Sequence, residues 1–165
     1  MVYLSLFRGA SLAVGDKSFL QTIKLEISRN FKLVPYERIV FHKILGILKS
    51  ENARNILIKE LNKGSLIRSS AIATLIHIKD PEVLENLLPC LSEKISKLEK
   101  ISILDFINQN GDESHIEAII SFIKSELDKD EYSYSVISIA FNALKSIGAR
   151  SDELFSYLLS ITSSD

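Results

Sequence analysis

The residues of this sequence best suited to bind a metal are three histidines, His42, His77 and His115. They occupy different positions relative to the helices predicted below. No cysteine or carboxylate stands three or four residues away in a way that pairs convincingly with His42 or His77. Beside His115, Asp112 and Glu113 are interpreted as partners of a helix N-terminal dipole. We therefore expect no metal site.

Catalytic chemistry finds equally little support. Cys90 follows Pro89 and stands between Leu88 and Leu91, which is typical of a half-buried, unreactive thiol rather than an activated nucleophile. The sequence has no glycine-rich phosphate loop and no Gly-x-Ser-x-Gly elbow, and its carboxylates have lysines nearby. We predict that the chain is not an enzyme, uses no cofactor and binds no small-molecule substrate. One cysteine excludes an internal disulfide and favours a cytoplasmic location.

The elements that would position any site are helices joined by a recurring tight turn. The clearest copy runs from Ser70 to Leu84, where Ala71, Leu75 and Ile78 have the spacing of one helix face. Asp80 and Pro81 then have the chemistry of an N-cap and a first helical residue. The residue before each turn marks the repeat, and successive markers lie 30 to 37 residues apart: Val14, Leu48, Ile78, Asn110 and Ile147.

The repeat predicts an all-α chain of about five helix pairs. Gly15, Gly111 and Gly148 follow markers and are each predicted to adopt the left-handed conformation that ends a helix. Two positions depart from the apolar pattern: Ser11, three residues before the marker Val14, and the marker Asn110. A non-repetitive helical bundle therefore stays an alternative. The predicted pairs are 2–14 with 17–29, 35–48 with 51–61, 66–78 with 81–91, 96–110 with 113–127, and 133–147 with 152–161.

The residues Ala71 to Pro81 follow the pattern Ala-x-x-x-Leu-x-x-Ile-x-Asp-Pro, and Ala140 to Gly148 follow Ala-x-x-x-Leu-x-x-Ile-Gly. Both patterns resemble HEAT repeats, in the short-period form found in bacteria. The resemblance implies a right-handed α–α superhelix, a HEAT-like solenoid, over residues 1–165 as a single domain. That domain is either a complete protein or a segment of a longer one. The period in the low thirties is itself typical of a stacked-repeat solenoid.

Charge is distributed unevenly along the chain. Residues 1–64 carry 11 Lys and Arg against 5 Asp and Glu, whereas residues 65–165 carry 9 against 16. Ordinary surface variation would explain this, as would a superhelix whose two ends bind partners of opposite charge. Nucleic acid is not the expected partner, because the acidic half would repel phosphates and the chain has no Trp to stack on a base. No apolar run is long enough to span a bilayer, so we expect no membrane partner.

In HEAT-like proteins the second helices of successive pairs line the concave face, and the resemblance implies the same here. We predict a non-catalytic scaffold or adaptor that binds a basic segment of another protein there, with Tyr157 as an aromatic anchor. The alternatives are an accessory protein resembling the phycobilisome lyase repeats, a nucleic-acid-binding HEAT-like protein that uses the basic N-terminal half, and a structural spacer. The predicted binding residues are Arg54, Lys59, Glu82, Glu85, Asn86, Glu117, Ser121, Lys124, Glu153 and Tyr157.

Overall fold

The computed structural model describes residues 35–148, which form seven α-helices and no strand. The all-α prediction is thereby confirmed for this part of the chain, and the superhelical arrangement stays a prediction. The predicted first pair and the last helix, with Gly15, lie outside the described residues. The helices are α1 (Pro35–Leu48), α2 (Glu51–Glu60), α3 (Ser65–Ile78), α4 (Leu84–Leu91), α5 (Lys97–Asn110), α6 (Ile116–Leu127) and α7 (Tyr134–Ser146). Single 3-10 turns, Pro81–Val83 and Glu113–His115, lead into α4 and α6.

Three of the predicted turns are present, and each has only two residues between helical segments. They are Lys49-Ser50, Lys79-Asp80 and Gly111-Asp112. The side chain of the second residue of each turn caps the next helical segment. It accepts a hydrogen bond from a backbone N–H that has no carbonyl partner within the helix. The bonds run from Ala53 N–H to Ser50 Oγ (3.2 Å), from Glu82 N–H to Asp80 Oδ1 (3.1 Å) and from Ser114 N–H to Asp112 Oδ1 (2.9 Å). The markers Leu48, Ile78 and Asn110 are each the last residue of their helix, as predicted.

The first residue of these turns reverses the chain in two different ways. Lys49 and Lys79 adopt left-handed backbone angles, with φ of 46° and 59°, and Gly148 does so after α7 with φ of 79°. The prediction for Gly148 is therefore confirmed. The prediction for Gly111 is wrong, because its φ of −75° and ψ of 164° are extended.

Glycine is required at position 111 because there is no room for a Cβ atom, and not because the backbone is left-handed. A Cβ at this position would lie 2.6 Å from the carbonyl oxygen of Ile107 and 3.2 Å from Cγ2 of Ile147. A real Cβ does not approach a backbone oxygen that closely. The polar marker Asn110 is accommodated because its side-chain amide donates to the Phe106 carbonyl at 3.0 Å.

The chain divides between Ile78 and Lys79 into two compact units. In the first unit α1, α2 and α3 pack against one another around Leu45, Leu57 and Leu75, which are all buried. Helices α1 and α3 approach closely at Gly46, where a Cβ would lie 2.8 Å from Cγ2 of Thr74. Each fully buried leucine contributes about 1.5 to 3 kcal/mol through the apolar area it removes from water.

In the second unit α5 packs along α7, while α4 contacts α5 and α6 contacts α7. The core contains Leu87, Ile103, Ile107, Ile119 and Leu144, all buried. Gly111 follows α5 and Ile147 follows α7, and a Cβ at Gly111 would lie 3.2 Å from Cγ2 of Ile147, so the C-terminal ends of these two helices lie together. Because these helices also pack along their length, they run parallel, and their N-terminal ends lie together at the other end of the unit.

The start of α5 carries a signal that the predicted boundaries did not use. Ser96 Oγ accepts from the Glu99 N–H at 3.3 Å, and the Ser96 N–H donates to Glu99 Oε2 at 2.6 Å, which is a capping box. Ser-x-x-Glu is legible in the sequence and places the helix start one residue after Ser96. Pro89 lies inside α4, and the helix nevertheless continues to Leu91, the predicted end.

The turn conformations predict opposite effects for two single substitutions. We expect Lys79→Gly to raise the free energy of unfolding by about 0.5 to 1 kcal/mol. Glycine adopts the left-handed conformation without strain, and this gain exceeds the loss from the greater conformational entropy of glycine in the unfolded chain. We expect Gly111→Ala to lower it by about 1 to 3 kcal/mol, because the added methyl group collides with backbone. Chemical denaturation followed by circular dichroism would measure both. Stabilisation by Gly111→Ala would contradict the steric account of this turn.

Candidate partner-binding surface

Six of the predicted binding residues lie in the second unit, on or beside α4 and α6. Glu82 and Glu85 are exposed, and Asn86 is half-buried. On α6, Glu117 and Ser121 are exposed and Lys124 is half-buried. Their spacing of four and three residues places them along one stripe of that helix. The side chains are therefore accessible to a partner, as the prediction requires.

His115 shows how the N-terminal ends of α4 and α6 are placed. It is buried, and its Nε2 lies 3.9 Å from Oε1 of Glu85, whose side chain is 74% exposed. Glu85 belongs to the first turn of α4, and His115 ends the 3-10 turn that leads into α6. The N-terminal ends of these two second helices are therefore neighbours. We call the exposed carboxylates at this place the acidic surface: Glu82, Glu85, Asp112, Glu113 and Glu117.

The turn before α6 is held by a local hydrogen-bond network. Nδ1 of His115 lies 2.9 Å from Oδ1 of Asp112 and 3.2 Å from its backbone nitrogen. The hydroxyl and the backbone N–H of Ser114 both donate to Oδ1 of Asp112, at 2.5 and 2.9 Å. These bonds, with that of His115, hold the pKa of Asp112 below its usual value. The interpretation of Asp112 as a partner of a helix N-terminus is thus matched by its geometry.

The other four predicted binding residues are Arg54, Lys59, Glu153 and Tyr157. Arg54 and Lys59 lie on α2 in the first unit, where Arg54 is half-buried and Lys59 is exposed. Glu153 and Tyr157 lie outside the described residues, so the aromatic anchor stays a prediction.

Sequence reasoning missed a buried cluster in the first unit. His42 on α1 has no exposed surface, and its Nε2 lies 3.6 Å from Oε2 of Glu60 at the end of α2. The same carboxylate oxygen accepts a hydrogen bond from Arg38 at 2.7 Å. Burial lowers the pKa of His42, and the Glu60 carboxylate only partly opposes this. The cluster joins α1 to α2. His42 and Glu60 are 18 residues apart in the sequence, so no helical spacing indicates that they pair.

A second missed cluster joins helices of the second unit. The side chain of Glu126, near the end of α6, accepts hydrogen bonds from Lys100 in the first turn of α5 and from Lys129 just after α6. The Lys100 ammonium also lies 5.5 Å from the centre of the Phe122 ring. Burial raises the pKa of Glu126, but the bonds from the two lysines outweigh it and keep this pKa below its usual value. Lys100 and Glu126 are both buried and satisfy each other.

Among residues 35–148 no group of three or more His, Cys, Asp and Glu side chains is arranged to hold a metal ion. Cys90 is buried, and its Sγ donates to the Asn86 carbonyl at 3.8 Å, which fits the interpretation of an unreactive thiol. No helix in the same range is long and apolar enough to cross a membrane. The chain matches no protein-family model, no curated protein and no solved structure.

The burial of His42 predicts a pH dependence of stability. Because the folded-state pKa lies below that of the unfolded chain, the unfolded state binds a proton first as the pH falls. The free energy of unfolding should therefore decrease as the pH falls below the unfolded value of about 6.5, until His42 protonates in the folded state. We expect His42→Leu to flatten this dependence in urea titrations between neutral and mildly acidic pH.

The matched control is His77→Gln, because His77 is an exposed histidine on α3. It should retain the pH dependence of the wild type. An equal loss of slope in both variants would show that His42 is not its source.

The Glu126 cluster predicts a large loss of stability from one uncharged substitution. Glu126→Gln leaves the buried Lys100 without its counter-charge, and we expect the free energy of unfolding to fall by about 3 kcal/mol. Lys129→Ala removes the more exposed partner and should cost less than about 1 kcal/mol. Chemical denaturation at neutral pH would measure both, and equal losses would contradict the assignment of Lys100 as the buried partner.

Proposed function

We propose that this chain is a non-catalytic scaffold of HEAT-like helix pairs that binds a basic segment of another protein on the acidic surface. The observation that supports this most is the approach of Glu85 to His115. It brings the N-terminal ends of two successive second helices together and collects their carboxylates on one exposed surface. A single helix pair would present half of this surface.

The charge of the second unit supports a cationic partner. Residues 79–148 contain 13 Asp and Glu, seven Lys and no Arg. Lys100 and Glu126 are buried together, which withdraws one charge of each sign and leaves the acidic excess unchanged. Of the predicted residues on α4 and α6, Lys124 alone is cationic, and it is half-buried. Such a potential accelerates encounter with a basic segment and opposes a phosphate backbone.

The packing of the helices supports a repeat architecture. In each unit the first helices of two successive pairs, α1 with α3 and α5 with α7, pack along each other. Their residues three positions before the markers, Leu45, Leu75, Ile107 and Leu144, are all buried. Stacked repeats bury their apolar stripes in this way and leave the outward stripes of the second helices for binding.

Charge reversal on the acidic surface tests this proposal. We expect Glu85→Lys and Glu117→Lys each to weaken binding of a short fluorescein-labelled peptide that alternates lysine and alanine, by about threefold to tenfold at low salt. Together they should also lower the dependence of affinity on salt, because fewer charges are neutralised on binding. Fluorescence anisotropy across a salt series measures both quantities.

The matched control is Asp105→Lys, which makes the same change of net charge at an exposed position of the first helix α5. It should change affinity by less than about twofold, as expected of screened long-range charge. If Asp105→Lys weakens binding as much as Glu85→Lys, net charge alone controls the peptide, and the acidic surface is not its site. Thermal unfolding of each variant verifies that the fold is retained.

A further inference from the structure

The N-terminal ends of α5 and α7 form a second exposed surface, which differs in chemistry from the acidic surface. Among the described residues, the two most exposed large apolar or aromatic side chains are Tyr134, at 81%, and Leu98, at 74%. Leu98 is the second residue of α5, and Tyr134 is the first residue of α7. Because α5 and α7 run parallel with their C-terminal ends together, these side chains lie at the same end of the second unit.

The loop before α7 adds to this surface and is itself held in place. Tyr132 is 53% exposed, and the loop residues Asp130 and Glu131 are also exposed. Glu126, in the last turn of α6, binds both Lys100 of α5 and Lys129 at the start of the loop. The loop therefore leaves α6 beside the N-terminal end of α5. We call Leu98, Asp130, Glu131, Tyr132 and Tyr134 the tyrosine surface.

We propose that the tyrosine surface is a docking site for a basic and apolar peptide segment, with arginine or lysine side chains over the rings of Tyr132 and Tyr134. Exposed aromatic rings attract cations through their negative faces, and Asp130 and Glu131 add charge complementarity. Leu98 offers an apolar contact, and the exposed Lys94 and Lys97 precede it in the sequence. Leu98 suits an apolar residue of the segment, and the two lysines would repel its cations, which Asp130 and Glu131 attract.

The inference rests on the proposed function and names a second contact for the same partner. Glu117 is the second residue of α6, and the loop with Tyr132 follows the end of that helix. Twelve residues of α-helix, the length of α6, rise about 18 Å. An extended segment of about six residues covers that distance. One partner segment that runs along α6 past Ser121 would therefore reach both surfaces.

Binding of a fluorescein-labelled peptide that alternates arginine and leucine to the full chain tests this inference. We expect the double variant Tyr132→Ala, Tyr134→Ala to weaken binding about tenfold by fluorescence anisotropy, and the double variant to phenylalanine to stay within about twofold, because it keeps both rings. Leu66→Ala is the control for lost apolar surface, since Leu66 is 56% exposed in the first unit. It should leave the affinity unchanged.

Three outcomes would overturn the inference. Unchanged binding by the alanine double variant, with loss in Glu85→Lys and Glu117→Lys, would reject the tyrosine surface and leave the proposed function standing. Equal loss in the alanine and phenylalanine double variants would show that hydroxyl groups and not rings are recognised. Dissociation of a dimer by the alanine variant in analytical ultracentrifugation, without a change in peptide affinity, would make this surface a self-association interface.

Discussion

The structure depends on three turns that leave only two residues between the first and the second helical segment of a predicted pair. So short a connection fixes where the second helix begins, and its first free N–H groups must be capped at once by Ser50, Asp80 or Asp112. The apolar stripe of the first helix is then left to be covered by another first helix, as α1 covers α3 and α5 covers α7. Local capping and the packing of these first helices on one another are thus two consequences of one constraint.

The same constraint determines where charge accumulates. Capping and helix dipoles favour carboxylates at the N-terminal ends of the second helices, so stabilising acidic residues recur there in successive pairs. The approach of Glu85 to His115 brings two such ends together in the second unit. The opposite end of α6 is organised by Glu126, which satisfies one buried and one more exposed lysine. Both surfaces proposed for binding therefore lie beside groups that also stabilise the fold.

Helix boundaries were largely predictable from sequence, because the signals that set them are local. The markers Leu48, Ile78 and Asn110 end their helices as predicted, and Ser96 with Glu99 would have fixed another start. Gly111 was misjudged because a glycine signals either a positive φ or a close approach, and only the position of Ile107 and Ile147 decides between them. The pairs of His42 with Glu60 and Lys100 with Glu126 join separate helices, and no periodicity within one helix reveals them.

We propose that the second helices present a surface selective for a basic protein segment. The most direct test of this proposal is to pass a native lysate over the immobilised full chain at low and at moderate salt, and to identify what is retained by mass spectrometry. We expect a discrete protein that elutes as salt rises, whose cross-links to the chain map a lysine- or arginine-rich segment onto α4 and α6. Retained nucleic acid, an empty column, or cross-links confined to the first unit would contradict it.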